Sequence, residues 1–162
     1  MVRGVETNPL RDAQVREAIS LSIDREGIVA RVMDGLAEPA YTLSPDFLIG
    51  AGSPPSGTQY DPARARELLA EAGYPDGFSI TINGPNNRYL NDARVMQVVG
   101  QLLARIGLDV QVVTEPFNVY FSKINVRPEL EGMDYSLMLM GWGHSSGGDT
   151  SGLLGTVLHS YN

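Results

Sequence analysis

Between residues 61 and 83 the spacing of apolar positions changes from helical to alternating. Ala65, Leu68, Leu69 and Ala72 recur at helical intervals and make one apolar stripe. Asp61 suits the N-cap of that helix, and Pro62 the first helical position, where a missing N–H costs nothing. Gly73 stands where a left-handed C-terminal residue is wanted. Tyr74-Pro75-Asp76-Gly77 predicts a turn. Phe78, Ile80 and Ile82 then alternate with Ser79, Thr81 and Asn83, which predicts a half-buried strand over residues 78–83.

The same signals divide the rest of the chain. Asp12 reads as the N-cap of a helix over residues 13–22, with Val15, Ala18, Ile19 and Ile23 facing inward. Asp24 caps a second helix through Met33, stopped at Gly35. Residues 36–59 hold Pro39, Pro45, Pro54 and Pro55 and predict a long loop. A polar turn, Gly84-Pro85-Asn86-Asn87-Arg88, follows the first strand. Val95, Val98, Val99, Leu102, Leu103 and Ile106 mark the face of a helix ending at Gly107, and Leu108, Val110 and Val112 mark a second strand. Strand, helix, strand at this spacing predicts a parallel βαβ unit. A further helix is expected over residues 117–126. Residues 135–140 read as a third strand, apolar enough for burial on both faces, and a last helix begins near Thr150. The expected class is therefore α/β, with a mainly parallel sheet flanked by helices.

Composition narrows the function. The 162 residues suit one domain with its own core, and 43% apolar content is ordinary for a globular protein. The net charge of −7, without a Lys/Arg cluster, argues against nucleic acid and anionic membranes as partners. No apolar run is long enough to span a bilayer, and MVRGVETNPL lacks the apolar core of a signal peptide, so none is expected here. Without cysteine there are no disulfides, thiol nucleophiles or thiolate metal sites.

Gly143-His144-Ser145-Ser146-Gly147 fits the G-x-S-x-G nucleophile elbow, which makes a serine hydrolase using Ser145 one alternative. An acid and a histidine must follow that serine, and Asp149 and His159 are what remains before Asn162. The other reading is a flexible Gly/Ser loop at a strand end. With two histidines and no H-E-x-x-H, no metal is expected, and no phosphate-binding glycine loop or other cofactor motif is present. A non-catalytic interaction domain is a further alternative, although nothing reads as a long amphipathic or coiled-coil surface. Two loops leave the C-terminal ends of parallel strands, where open α/β sheets bind ligands. The candidate ligand-binding residues are Asn86, Asn87, Arg88 and Tyr89 on the first, and Trp142, Gly143, His144, Ser145 and Asp149 on the second. Arg88 offers a forked cation for a carboxylate or phosphate, the asparagines offer amides, and Trp142 offers a flat apolar wall.

Four stretches together resemble a known family: NPLRDAQVREAISLSIDREGIV, YDPARARELLAEAGYPDGF, ARIGLDVQV and the apolar strand ending in Gly141-Trp142. That family is the extracellular solute-binding proteins of ABC importers, specifically the peptide/nickel-binding family 5. The resemblance implies that residues 1–162 are a single type II periplasmic-binding-protein-like lobe, the C-terminal one of two. It implies a peptide or other small-molecule ligand, and as partners the N-terminal lobe of the same protein and ABC permease subunits. It also implies a periplasmic or lipid-anchored extracellular location and no catalysis. Peptide-binding members carry an Asp three residues after the Trp, where this chain has Ser145, with Asp149 the nearest acid. Arg88 lies near the position of the Arg that takes the peptide carboxylate in dipeptide binders.

Overall fold

The computed structural model describes residues 8–42, 44, 48–53, 59–125 and 137–141. A 3-10 turn at Pro9–Arg11 leads into α1 (Ala13–Leu21), followed by α2 (Arg25–Arg31) and α3 (Pro62–Glu71). The three aspartates act as the sequence predicts. Asp12 accepts from Gln14 N at 2.8 Å, Asp24 from Gly27 N at 2.8 Å, and Asp61 from Ala63 N and Arg64 N at 3.1 and 2.9 Å. Each thereby satisfies helix N–H groups that have no partner inside the helix. Helix α2 stops short of Met33, because Asp34 joins Gly35 in the left-handed region, at φ 51° and 73°. The described residues of the 36–59 stretch contain no helix, in line with a loop.

The sheet consists of β1 (Ser79–Pro85), β2 (Asp109–Glu115) and β3 (Leu137–Met138), in the order β2-β1-β3 and parallel throughout. Helix α4 (Asp92–Arg105) joins β1 to β2, and α5 (Phe117–Asn125) follows β2. The predicted βαβ unit is present, with Ile80 opposite Val110 and Ile82 opposite Val112. The core is one cluster. Val15, Ala18, Ala65 and Leu69 from α1 and α3 meet Phe78, Ile80 and Ile82 of the first strand and Met96 and Leu103 of α4. Burying large aliphatic and aromatic side chains stabilises by about 1.5–3 kcal/mol each, so this cluster holds helices and sheet together.

Three expectations need correction. Gly84 and Pro85 belong to β1 and are buried; the polar turn starts at Asn86. β1 is buried on both faces, not one: Thr81 and Asn83 are 7% exposed, against 2% and 4% for Ile80 and Ile82. The reason is its central place. It lies between β2 and β3, and both α4 and α5 contact it. β3, conversely, is not buried on both faces: Met138 and the following Met140 are 50% and 43% exposed. It lies at the edge of the described sheet, where apolar content does not ensure cover. The expected last helix lies outside the described residues.

Candidate functional site

The C-terminal edge of the sheet is shaped by where its ladder stops. Asn83 pairs with Met138, and Leu139 N donates to Asn83 O at 2.8 Å. In a parallel ladder the next bond would run from the N–H of residue 85 to the carbonyl of Leu139. Residue 85 is proline and has no N–H. The Tyr120 hydroxyl donates to that carbonyl instead, at 3.0 Å. A gap in the sheet thus fixes an α5 side chain at the strand ends. Beyond Pro85 the chain is tied to β2 and α5: Asn86 N donates to Glu115 O at 2.9 Å, and Phe117 N donates to Asn87 Oδ1 at 2.7 Å.

The turn into α4 is organised by Asp92, which is 4% exposed. Its carboxylate accepts from Arg88 N and Tyr89 N at 2.8 and 3.0 Å, and from Ala93 N at 2.8 Å. Desolvation pushes this carboxyl up, but the three backbone donors outweigh it and hold it below the usual aspartate range. Asn91 is left-handed at φ 54°, and its Nδ2 donates to Val32 O at 2.7 Å, fastening the turn to the end of α2. The Tyr89 ring lies against Gly141: a Cβ there would come within 2.6 Å of Tyr89 Cε1.

These elements border an open cavity of about 590 Å³, lined by Arg88, Tyr89, Phe117, Tyr120, Phe121, Met140 and Gly141. That volume suits a small ligand. Arg88 is the charged residue of the lining; its guanidinium lies 4.9 Å from the centre of the Phe117 ring, a cation–π distance. Phe117 and Phe121 stack with centroids 5.2 Å apart. Among the described residues no carboxylate pairs with Arg88: Glu115 is taken by Lys123, and Asp92 by backbone. The site therefore offers one forked cation above an aromatic floor, suited to an anion with an apolar body. A second groove, of about 220 Å³, lies between α2 and α4, where Arg31 is already paired with Asp24 at 2.8 Å.

Of the sequence candidates, Arg88 and Tyr89 line the cavity. Asn86 and Asn87 flank it as exposed residues, and the Asn87 amide oxygen is engaged in holding α5. Trp142, Gly143, His144, Ser145 and Asp149 lie outside the described residues, as does the G-x-S-x-G stretch. Sequence reasoning missed Phe117, Tyr120, Phe121 and Met140. The available signal was an aromatic group at i, i+3 and i+4 placed directly after the second strand. Among the described residues no three His, Asp or Glu side chains gather as a metal site, and no helix is long and apolar enough to cross a membrane.

Comparison with known proteins agrees with this architecture. The glutathione-binding protein GsiB of Salmonella choleraesuis is 34% identical over 143 residues, covering 88% of this chain and 27% of that protein. The chain thus spans about a quarter of that relative's length, 27%. HbpA2 from Haemophilus parasuis superposes with a TM-score of 0.79 at 25% identity, over 92% of this chain and 29% of that one. A dipeptide-binding protein from Pseudoalteromonas sp. SM9913, solved with Met-Leu, gives 0.70 at 28% identity, over 85% and 26%. The fold is that of a type II periplasmic-binding-protein lobe. The model of the bacterial extracellular solute-binding proteins, family 5 Middle, matches residues 4–162, and the chain belongs to that family.

Proposed function

We propose that residues 1–162 form one lobe of a two-lobe solute-binding protein serving an ABC importer. The intact protein captures a small solute outside the cytoplasmic membrane and hands it to permease subunits. It is periplasmic or lipid-anchored at the cell surface, and it is not an enzyme. The observation that carries this reading is the open cavity at the sheet's C-terminal edge, with Arg88 unpaired by any described carboxylate. Peptide-like acids fit its chemistry, and the relatives' names point the same way: one binds glutathione, another was solved with Met-Leu. Residues 142–149 follow directly on Gly141, so Trp142, Gly143, His144, Ser145 and Asp149 are proposed to complete this side of the site.

A half-site binds weakly. Association costs roughly 4–15 kcal/mol of lost freedom, while micromolar affinity needs about 8 kcal/mol net, and one lobe supplies part of the contacts. Closure of the second lobe supplies the rest. Calorimetry on residues 1–162 and on the full-length protein, against dipeptides, longer peptides, sugars and metal chelates, is the test. Tight binding is expected from the full-length protein alone and should fall on Arg88→Ala and Trp142→Ala. Equal affinity in both would refute the two-lobe reading. A fluorophosphonate probe should leave Ser145 unlabelled; stoichiometric labelling there would restore the hydrolase.

A further inference from the structure

The cavity is larger and more apolar than the recognition of a carboxylate requires. Apart from Arg88 and the Tyr89 hydroxyl, its side chains are hydrocarbon or have their polar group committed. Tyr120 is hydrogen-bonded to the Leu139 carbonyl, so it presents ring. Phe117 and Phe121 stack on one face of α5, yet Phe121 remains 45% exposed and Met140 43%. Scattered exposed apolar residues need no explanation. These line one cavity with a single guanidinium at its rim. Because Arg88 stacks on Phe117, a carboxylate on its free edge would lie within a side chain's length of the Phe117–Phe121 pair.

We propose that Phe117, Phe121 and Met140 form a subsite for an apolar side chain adjacent to the carboxylate received by Arg88. The ligand class is a peptide or peptide-like acid ending in a Leu-, Met- or Phe-like residue. A ligand ending in glycine, as glutathione does, leaves the subsite wet and binds less well. This inference rests on the reading of the cavity as a ligand site. The competing occupant of Phe121 and Met140 is the other lobe, which would cover them whatever the ligand.

The experiment uses the full-length protein and calorimetry with Ala-Leu, Ala-Phe, Ala-Gly, Ala-Glu, glutathione and amidated Ala-Leu. Ala-Leu and Ala-Phe are expected to bind roughly 10–100-fold more tightly than Ala-Gly, the range for burying one such side chain. Amidation should abolish much of the binding. Phe121→Ala combined with Met140→Ala should shrink the Leu-over-Gly preference to below about threefold, through a larger loss for Ala-Leu than for Ala-Gly. Both positions are part-exposed, so the variant should fold. Equal affinity for Ala-Leu, Ala-Gly and Ala-Glu overturns the subsite and leaves peptide binding standing. A uniform loss for every peptide in the double variant assigns these residues to the lobe interface instead. If no dipeptide binds, 4-phenylbutanoate is titrated while the methyl resonance of Met140 is followed by NMR. A saturable shift rejects peptides but keeps the subsite; no shift overturns both.

Discussion

Where β1 and β2 begin, turn is packed on turn; where they end, the same two strands open onto a cavity. At the start of the strands a Cβ on Gly77 would lie 1.9 Å from the Gly107 carbonyl oxygen. Asp109 N donates to Phe78 O at 3.1 Å, and Arg66 Nε to Arg105 O at 3.1 Å. At the far end the close approach is between a glycine and a ring, Gly141 and Tyr89, and the neighbouring guanidinium lacks a described carboxylate. Backbone meets backbone at one end, and side chain meets space at the other. The first arrangement resists change of any kind. The second leaves space beside its side chains.

Parallel substitutions at the two ends separate these roles. Gly77→Ala should have the largest effect. It forces a side chain onto a backbone carbonyl at a φ of 71°, and a loss of about 3 kcal/mol or more is expected in urea unfolding. Asp92→Ala comes next, at about 2–3 kcal/mol, because two N–H groups in the Arg88–Tyr89 turn lose a charged acceptor. Its carboxyl is depressed in the folded state, so its stabilisation is complete above the ordinary value of 3.8 and disappears as pH falls below it. The stability gap between the parent and Asp92→Ala should therefore narrow below that pH; a constant gap would show that the charge does not matter.

Tyr120→Phe should cost about 1 kcal/mol, since the Leu139 carbonyl loses the donor that replaced the ladder. No change in melting temperature would mean that water substitutes fully. Gly141→Ala should be the mildest, under about 1 kcal/mol, because a ring can shift where a carbonyl cannot. The displaced Tyr89 ring should nevertheless change ligand affinity in the full-length protein. A Gly141→Ala variant as unstable as Gly77→Ala would erase the distinction between the two ends.

Most of this frame was legible in the sequence because its signals are local. Asp12, Asp24 and Asp61 cap the helices they precede, and the strand–helix–strand spacing around Ile80, Ile82, Val110 and Val112 predicts the parallel pair. The failures arise where tertiary context decides. Gly84-Pro85 has the composition of a turn, yet it extends the central strand, because the α5 tyrosine satisfies what the proline cannot. The alternation of Thr81 and Asn83 reads as one wet face, yet both are buried in the central strand. Leu137 to Met140 reads as interior on both faces, but at the sheet edge Met138 and Met140 stay exposed while Leu137 and Leu139 pack on the core. The aromatic spacing of Phe117, Tyr120 and Phe121 has the look of an ordinary core stripe, and only the position of α5 at the strand ends turns it into a cavity wall. Arg88 was legible as a cation at the sheet edge, but its seat on Phe117 was not.

The Asp92 carboxylate has a consequence for timing. It fixes the Arg88–Tyr89 backbone through two N–H groups, while Asn87 fixes the start of α5, all within the chain itself. Arg88 is thus presented on a formed surface before anything arrives. A molecule meeting that surface loses its own freedom and demands little further ordering of the protein. On the proposed reading of this edge as a ligand site, capture there requires no slow search of the Arg88–Tyr89 turn for its shape.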